Sequence, residues 1–393
     1  SGSSGGAASS GGSSSGASGN AGSSSSVAGA TASGGAGTGG NGGSSSAGAG
    51  GAGPEHVVGN CDGLGALDEW QDITPSEVDL SDNGIVEVLA DPVHTGTIYT
   101  SGDKRGIFRS TDCGATWTKV NTGTNGTVLD SGTQWSMAID PVDPEVLYAG
   151  NLYGSDPSLF KSTDGGENFE ALFPPGSEVA NTVEYNFTQE VAMDPTDHQH
   201  LVVSFHANCK GDYAPMCMAE SKDSGESWRL FKGPTSGWVE NARPLVLGST
   251  TFLYATAGDG VYYTSDSGAT WETLANIGGA GHQLYHAADG NYYVGTQWGV
   301  KRSADGYAWS SIDGAPNGDA MIGDGTRLFT GWPPCCGNTQ PFSTASESDG
   351  TDWTTLPSPD LTGRRVVYFA YDPDHHVLYA ALSKGGLLRM VTQ

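Results

Sequence analysis

One eight-residue pattern recurs along the chain and restricts the folds open to it more than any other feature. It runs Ser110-Thr-Asp-Cys-Gly-Ala-Thr-Trp117 and returns as Ser162-Thr-Asp-Gly-Gly-Glu-Asn-Phe169, Ser221-Lys-Asp-Ser-Gly-Glu-Ser-Trp228 and Thr264-Ser-Asp-Ser-Gly-Ala-Thr-Trp271. Two degenerate copies follow. Ser303 to Trp309 keeps Asp305 but is one residue shorter, and Ser346 to Trp353 keeps the length with Ser348 where aspartate is expected. Successive aromatics lie 38 residues (Trp271 to Trp309) to 59 residues (Phe169 to Trp228) apart. A period of that size marks supersecondary units that bury their apolar faces against one another. The pattern itself reads as a β-turn cap: the aspartate accepts hydrogen bonds from turn amides, the glycine takes a positive φ, and the aromatic packs between units. Around the first copy, Val86 to Ala90, Ile98 to Ser101, Gly106 to Ser110 and Trp117 to Val120 read as four strands, with the cap joining the third to the fourth. A second turn, seen in Ala90-Asp-Pro-Val, Ile139-Asp-Pro-Val, Met193-Asp-Pro-Thr and Tyr371-Asp-Pro-Asp, joins the first strand to the second.

The repeated octet resembles the Asp-box, or bacterial neuraminidase repeat, of sialidases, xyloglucan-cleaving glucanases, sortilin-type receptors and a photosystem assembly factor. The resemblance implies an all-β, seven-bladed β-propeller in which the boxes are structural. Six boxes supply six blades. After the last box, Val366 to Tyr371, Val377 to Leu382 and Leu387 to Val391 give three strands with no fourth, and Glu69-Trp70-Gln-Asp-Ile73 matches Thr116-Trp117-Thr-Lys-Val120. The N-terminal strand is therefore expected to complete blade seven, a closure that removes exposed sheet edges. Sialidase chemistry is not expected. Arg109, Arg302 and Arg389 recur at one place in a third strand, which argues for packing, and no Phe-or-Tyr-Arg-Ile-Pro motif is present.

Composition divides the chain in two. Residues 1–55 are almost all Ser, Gly, Ala, Thr and Asn, with no charge before Glu55, and cannot bury enough apolar surface to offset the entropy of ordering. They read as a disordered linker or surface tether, and residues 56–393 as the propeller. With 44 acidic and 17 basic residues, a formal net charge of −27 disfavours nucleic acid and anionic membranes. Six cysteines form no zinc pattern with nearby histidines and point to disulfides. Cys209 and Cys217 flank an insertion, Cys61 and Cys113 are left for each other across the ring closure, and adjacent Cys335 and Cys336 either form a vicinal ring or pair elsewhere. These features suggest an extracellular, periplasmic or cell-surface protein, a monomer that meets a membrane only through a removed or lipidated N-terminal signal. No cofactor is expected, although the acidic turns could hold calcium.

Strand alternation puts the boxes and Asp-Pro turns on one rim and all long insertions on the other, the far rim. Aromatic and basic residues assigned to the far rim are candidate ligand-binding groups: Trp135, Tyr185, Trp238, Arg243, His286, Trp298, Trp332 and Arg364. The insertion His206-Ala-Asn-Cys-Lys-Gly-Asp-Tyr-Ala-Pro-Met-Cys217 offers Tyr213 as acid and base with His206 beside it, the chemistry of a polysaccharide lyase. A glycoside hydrolase would need two carboxylates instead, and Glu190 and Glu240 are among those available. The expected function is thus an exported or surface-anchored carbohydrate-active propeller acting on or binding a polysaccharide or oligosaccharide at the far rim. The alternative is a non-catalytic binding or assembly-factor propeller that recognises a protein partner.

Overall fold

The computed structural model describes residues 55–393 except 81–82, 240–241, 257–259, 276, 333–340 and 362–363. Seven four-stranded antiparallel sheets follow one another along the chain. Six are sequential, beginning with Ile85–Ala90, Ile98–Gly102, Gly106–Ser110 and Thr118–Lys119 as blade 1. Blade 7 pairs Arg365–Asp372, Val377–Ser383 and Leu387–Val391 with Gln71–Asp72, in the register Gln71 opposite Arg389 and Asp72 opposite Leu388. The seven-bladed, all-β fold expected from the repeats is present, closed by the N-terminal strand.

Seven apolar clusters, one between each pair of neighbouring blades, hold the ring together. The cluster between blades 1 and 2, for example, joins Tyr99, Ile107 and Val120 to Met137, Leu147, Phe160 and Phe169. Alternate side chains of each strand face opposite neighbours, so one sheet feeds two such clusters.

The repeated turn shows why its residue types recur. In the first copy Gly114 N donates to Ser110 Oγ at 2.7 Å, Ser110 Oγ donates to Asp112 Oδ1 at 2.7 Å, and Asp112 Oδ1 also accepts from Thr116 N at 2.8 Å. The second, third and fourth copies repeat the bond from the glycine amide to the hydroxyl at 3.0, 2.8 and 2.9 Å. The residue before the glycine also takes a positive φ: 58° at Cys113, 57° at Ser224 and 55° at Ser267. The recurring third-strand arginines reach into the next blade's turn, as expected of packing residues. Arg302 Nη1 donates to Asp349 O at 3.2 Å and Arg389 Nη1 to Cys113 O at 2.9 Å.

The Asp-Pro turns are built on one carboxylate each. Asp91, Asp140, Asp194 and Asp372 all accept turn amides on Oδ1. Each gives Oδ2 to a histidine Nδ1: His94 at 3.0 Å, His198 at 2.7 Å, His200 at 3.0 Å and His375 at 3.0 Å. Four of the nine histidines are thereby occupied in turns. Disulfides join Cys61 to Cys113 and Cys209 to Cys217, while Cys335 and Cys336 lie outside the described residues.

Candidate functional site

First strands surround the central channel, and in four blades they carry a β-bulge at the same level. The ladders slip between Ile85 and Glu87, Gln134 and Ser136, Thr188 and Glu190, and Val366 and Tyr368. An inserted residue re-aims the side chains on either side of it. Three of the residues that follow the bulges converge on one network. Ser136 Oγ donates to Glu190 Oε1 at 3.1 Å, and the Tyr368 hydroxyl lies 2.9 Å from both Glu190 oxygens. Arg243 Nη1 donates to Glu190 Oε2 and to the Tyr368 hydroxyl oxygen, both at 3.2 Å. Burial pushes the Glu190 carboxyl up, against the pull of Arg243. Glu87, the fourth such residue, is raised well above the usual carboxylate range, first by burial and then by the Glu190 charge. Toward the repeated-turn side, Glu87, Met137, Gln283, Tyr368 and Tyr371 line a channel cavity of about 280 Å³.

This network corrects two expectations. Arg243 was placed among the rim groups that offer charge to a ligand, but it is 2% exposed and committed to Glu190 and Tyr368. Glu190 is 8% exposed and already accepts from three partners. A first-strand position looks the same in sequence whether it lies at the mouth of the channel or inside it. A third correction concerns His286. It ends the first strand of blade 5, pairs with Tyr292 across the following turn and stacks on it at 4.3 Å, so it sits on the rim of the repeated turns.

The far rim gathers a different set. His206 follows the second strand of blade 3, Asp197–Phe205, so it lies opposite the caps. Its Nε2 meets the Tyr153 hydroxyl at 2.8 Å and its Nδ1 meets Gln189 Oε1 at 2.8 Å. Trp238 presents its ring to the imidazole edge-on at 5.2 Å. Phe187 packs on Tyr153 at 5.1 Å and stacks on Tyr185 at 5.7 Å. Rings from the second-to-third-strand loop of blade 2, the connections on both sides of blade 3 and its insertion thus form one continuous surface. Tyr153 and Tyr185 are 53% and 59% exposed. Tyr153 holds φ 57°, a left-handed conformation costly for a bulky residue and characteristic of positions fixed by their surroundings. The neighbours of Tyr185 in sequence, Glu184 and Asn186, line a cleft of about 500 Å³ together with Asp156, Phe160, Phe173 and Pro174.

The other candidates are more dispersed. Tyr213 ends a short 3₁₀ turn, Gly211–Tyr213, and packs on the blade 2–3 cluster with Cys209 and Cys217. Trp298, in the second-to-third-strand loop of blade 5, is 69% exposed. Trp135 is the half-buried bulge residue of blade 2. Trp332 follows the second strand of blade 6, its N–H donating to Pro341 O, and Arg364 precedes blade 7, its N–H donating to Leu361 O. Glu240 lies outside the described residues. One group among the described residues has metal-ligand spacing, with Cys61, Cys113, Asp372 and His375 placing ligand atoms within 4.8 Å of one another. The two sulfurs are joined in a disulfide and therefore offer no thiolate.

Fold and rims together define an all-β, seven-bladed propeller with an aromatic far rim and a buried polar network among its first strands. No family model matches the chain. A xyloglucanase of a Paenibacillus species is 23% identical over 330 residues, which cover 75% of this chain and 29% of that enzyme. The chain therefore spans less than a third of that relative's length. Among solved structures, the GH74 xyloglucanase from Xanthomonas campestris superposes with a TM-score of 0.56 at 16% identity, over 83% of this chain and 54% of that one. YCF48 bound to D1 peptide superposes with a TM-score of 0.58 at 14% identity, over 84% and 99%. Both likenesses show the propeller fold.

Proposed function

We propose that this chain is an exported carbohydrate-active propeller of the Asp-box type and that the far-rim surface of Tyr153, Tyr185, Phe187, His206 and Trp238 receives a polysaccharide. The continuous exposed aromatic surface carries the reading: sugar rings present C–H faces that stack on aromatic faces, and rigid rings lose little entropy on binding. The similarity of much of the chain to a xyloglucanase supports it. So do the two disulfides, which suit an oxidising compartment. In this reading residues 1–55 tether a monomeric propeller of residues 56–393, and Trp298, Trp332 and Arg364 extend the surface around the rim.

Retention on a panel of immobilised polysaccharides tests the proposal. The wild-type protein is expected to be retarded by at least one glycan, and Trp238→Ala and Tyr185→Ala to weaken that binding about tenfold each. Passage of the wild type through every glycan column, with capture of a protein partner instead, would replace this reading with the protein-recognition one.

A further inference from the structure

Three residues of the far rim form a chain of hydrogen bonds with a defined direction. Gln189 Oε1, an acceptor, faces His206 Nδ1 at 2.8 Å, an arrangement that favours the imidazole proton on Nδ1, while Gln189 Nε2 is buried without a hydrogen-bond partner. The neutral ring then presents the lone pair of Nε2, and that atom faces the Tyr153 hydroxyl at 2.8 Å. We propose that these residues are a proton relay in which His206 is the base for the Tyr153 hydroxyl, Tyr153 is the catalytic residue that meets the glycan, and Gln189 is a positioning residue.

Independent features of the fold converge on this arrangement. Gln189 is the extra residue of the blade 3 bulge, and it is 1% exposed. The bulge therefore serves both sites, with Glu190 beside it committed to the channel network and Gln189 bound to His206. The His206 backbone is tied by its N–H to Phe187 O at 2.9 Å, and its ring edge meets Trp238. Tyr153, whose backbone lies in the left-handed region, meets His206 from the neighbouring blade. A nucleophile or acid in contact with a base, the base oriented by a third group, is the arrangement by which side chains are activated for proton transfer.

The substrate class follows from the charge type of the relay and rests on the polysaccharide reading above. Tyrosine and histidine transfer protons without supplying a carboxylate, whereas hydrolysis of a glycosidic bond calls for a pair of carboxyl groups. Glu190 below them is closed off by Ser136, Tyr368 and Arg243. The relay suits elimination from a uronate, whose C5 proton is acidified by the adjacent carboxylate. His206 Nε2 takes the hydroxyl proton, and the Tyr153 oxygen takes the C5 proton. The released electron pair forms the C4–C5 double bond as the C4–O bond breaks, and the departing oxygen receives from Tyr153 the proton that came from C5. His206 then returns its proton to Tyr153, and no water is consumed.

Two measurements decide the proposal. The first needs no glycan: acetylation of each tyrosine by N-acetylimidazole at neutral pH, read by peptide mass spectrometry. Tyr185, as exposed as Tyr153, is the internal reference. Tyr153 is expected to react about tenfold faster than Tyr185 in the wild type and at the Tyr185 rate in His206→Phe. Gln189→Leu is expected to abolish the Nδ1–H tautomer of His206 in nitrogen-15 NMR spectra. Equal rates in the wild type, or a Tyr153 rate indifferent to His206→Phe, would overturn the relay. The second measurement is the ultraviolet absorbance of unsaturated uronate on pectate, alginate and glucuronan, with neutral xyloglucan as control. Tyr153→Phe should lower turnover at least about 100-fold. Retention without unsaturated product on any uronate overturns the elimination chemistry and leaves the polysaccharide reading standing. Failure of the wild type to bind any glycan sinks that reading, while the acetylation rates still judge the relay.

Discussion

A glutamate such as Glu87 is unremarkable in a strand whose alternate residues face a neighbour, and its consequence comes from where the strand lies. Burial and the Glu190 charge hold its carboxyl up, so the folded protein keeps a proton that the unfolded chain gives away. Stability from this group is highest at acid pH and falls as pH rises from the unfolded value toward the folded one, by up to about 1.4 kcal/mol per pH unit. Glu87→Gln keeps the acceptor that takes the Val88 N–H at 3.0 Å and removes the titration. The variant is expected to match the wild type near pH 4 and to exceed it in stability at pH 8. Chemical denaturation at both pH values checks this, and parallel profiles would contradict it. Sequence could select His206 as chemically costly to place in a loop, yet it paired the histidine with Tyr213 in the same insertion. The structure brings Tyr153 to it across 53 residues, because loops from neighbouring blades meet at the rim.

Blade 3 shows how one element concentrates charge. His200 side-chain nitrogens bridge Asp194 and Glu220, each at 3.0 Å, and Arg229 also binds Glu220. Burial opposes the His200 charge, but the bonds to the two carboxylates outweigh it and hold its pKa up. Burial likewise opposes ionisation of Glu220, yet the bonds from His200 and Arg229 bring its pKa down to about 2. The histidine's contribution is therefore complete below its unfolded value, about 6.5, and is lost as pH rises through the folded one. The Glu220 contribution is present above about 4.3 and is lost as pH falls toward its folded value. Blade 3 should be most stable between those two limits. His200→Gln leaves buried Asp194 without a cation, while Glu220 keeps Arg229 and Lys222, and should cost about 3 kcal/mol near pH 6, with less loss at pH 9. Thermal unfolding across pH measures this, and a pH-independent loss would exclude a charged His200. The turn was visible in the sequence as Asp194-Pro195, but its histidine was not, because His200 lies on the far side of the turn and looks like an ordinary strand residue.

At the scale of the whole molecule the ring depends on one seam. Gln71–Asp72 pairs with the last strand, Trp70 stacks on Phe342 at 4.3 Å, and Arg389 binds Gln71, Cys113 and Gly63 across the closure. The Cys61–Cys113 disulfide spans 52 residues, and loop entropy assigns such a link about 4 kcal/mol. Cys61→Ser with Cys113→Ser should lower stability by about that amount and speed amide exchange first in Gln71–Asp72 and Leu387–Val391. Uniform acceleration over all blades would argue against a local seam. Removing the chain through Thr74 should expose the edge of Leu387–Val391 and drive aggregation, measurable by light scattering.

Local chemistry, then, was legible from the chain alone. Hydroxyl, aspartate, glycine and aromatic at fixed spacing can satisfy a tight turn whatever surrounds it; their recurrence, with the unmatched strands at the two ends, pointed to the blades, their number and the ring closure, and cysteine placement pointed to both described disulfides. Only the closed ring decided which polar side chains are buried at the channel, which aromatic groups meet at the far rim and which partner completes His206. Those outcomes depend on groups from different blades meeting in space, and spacing along one strand carries no information about its neighbour.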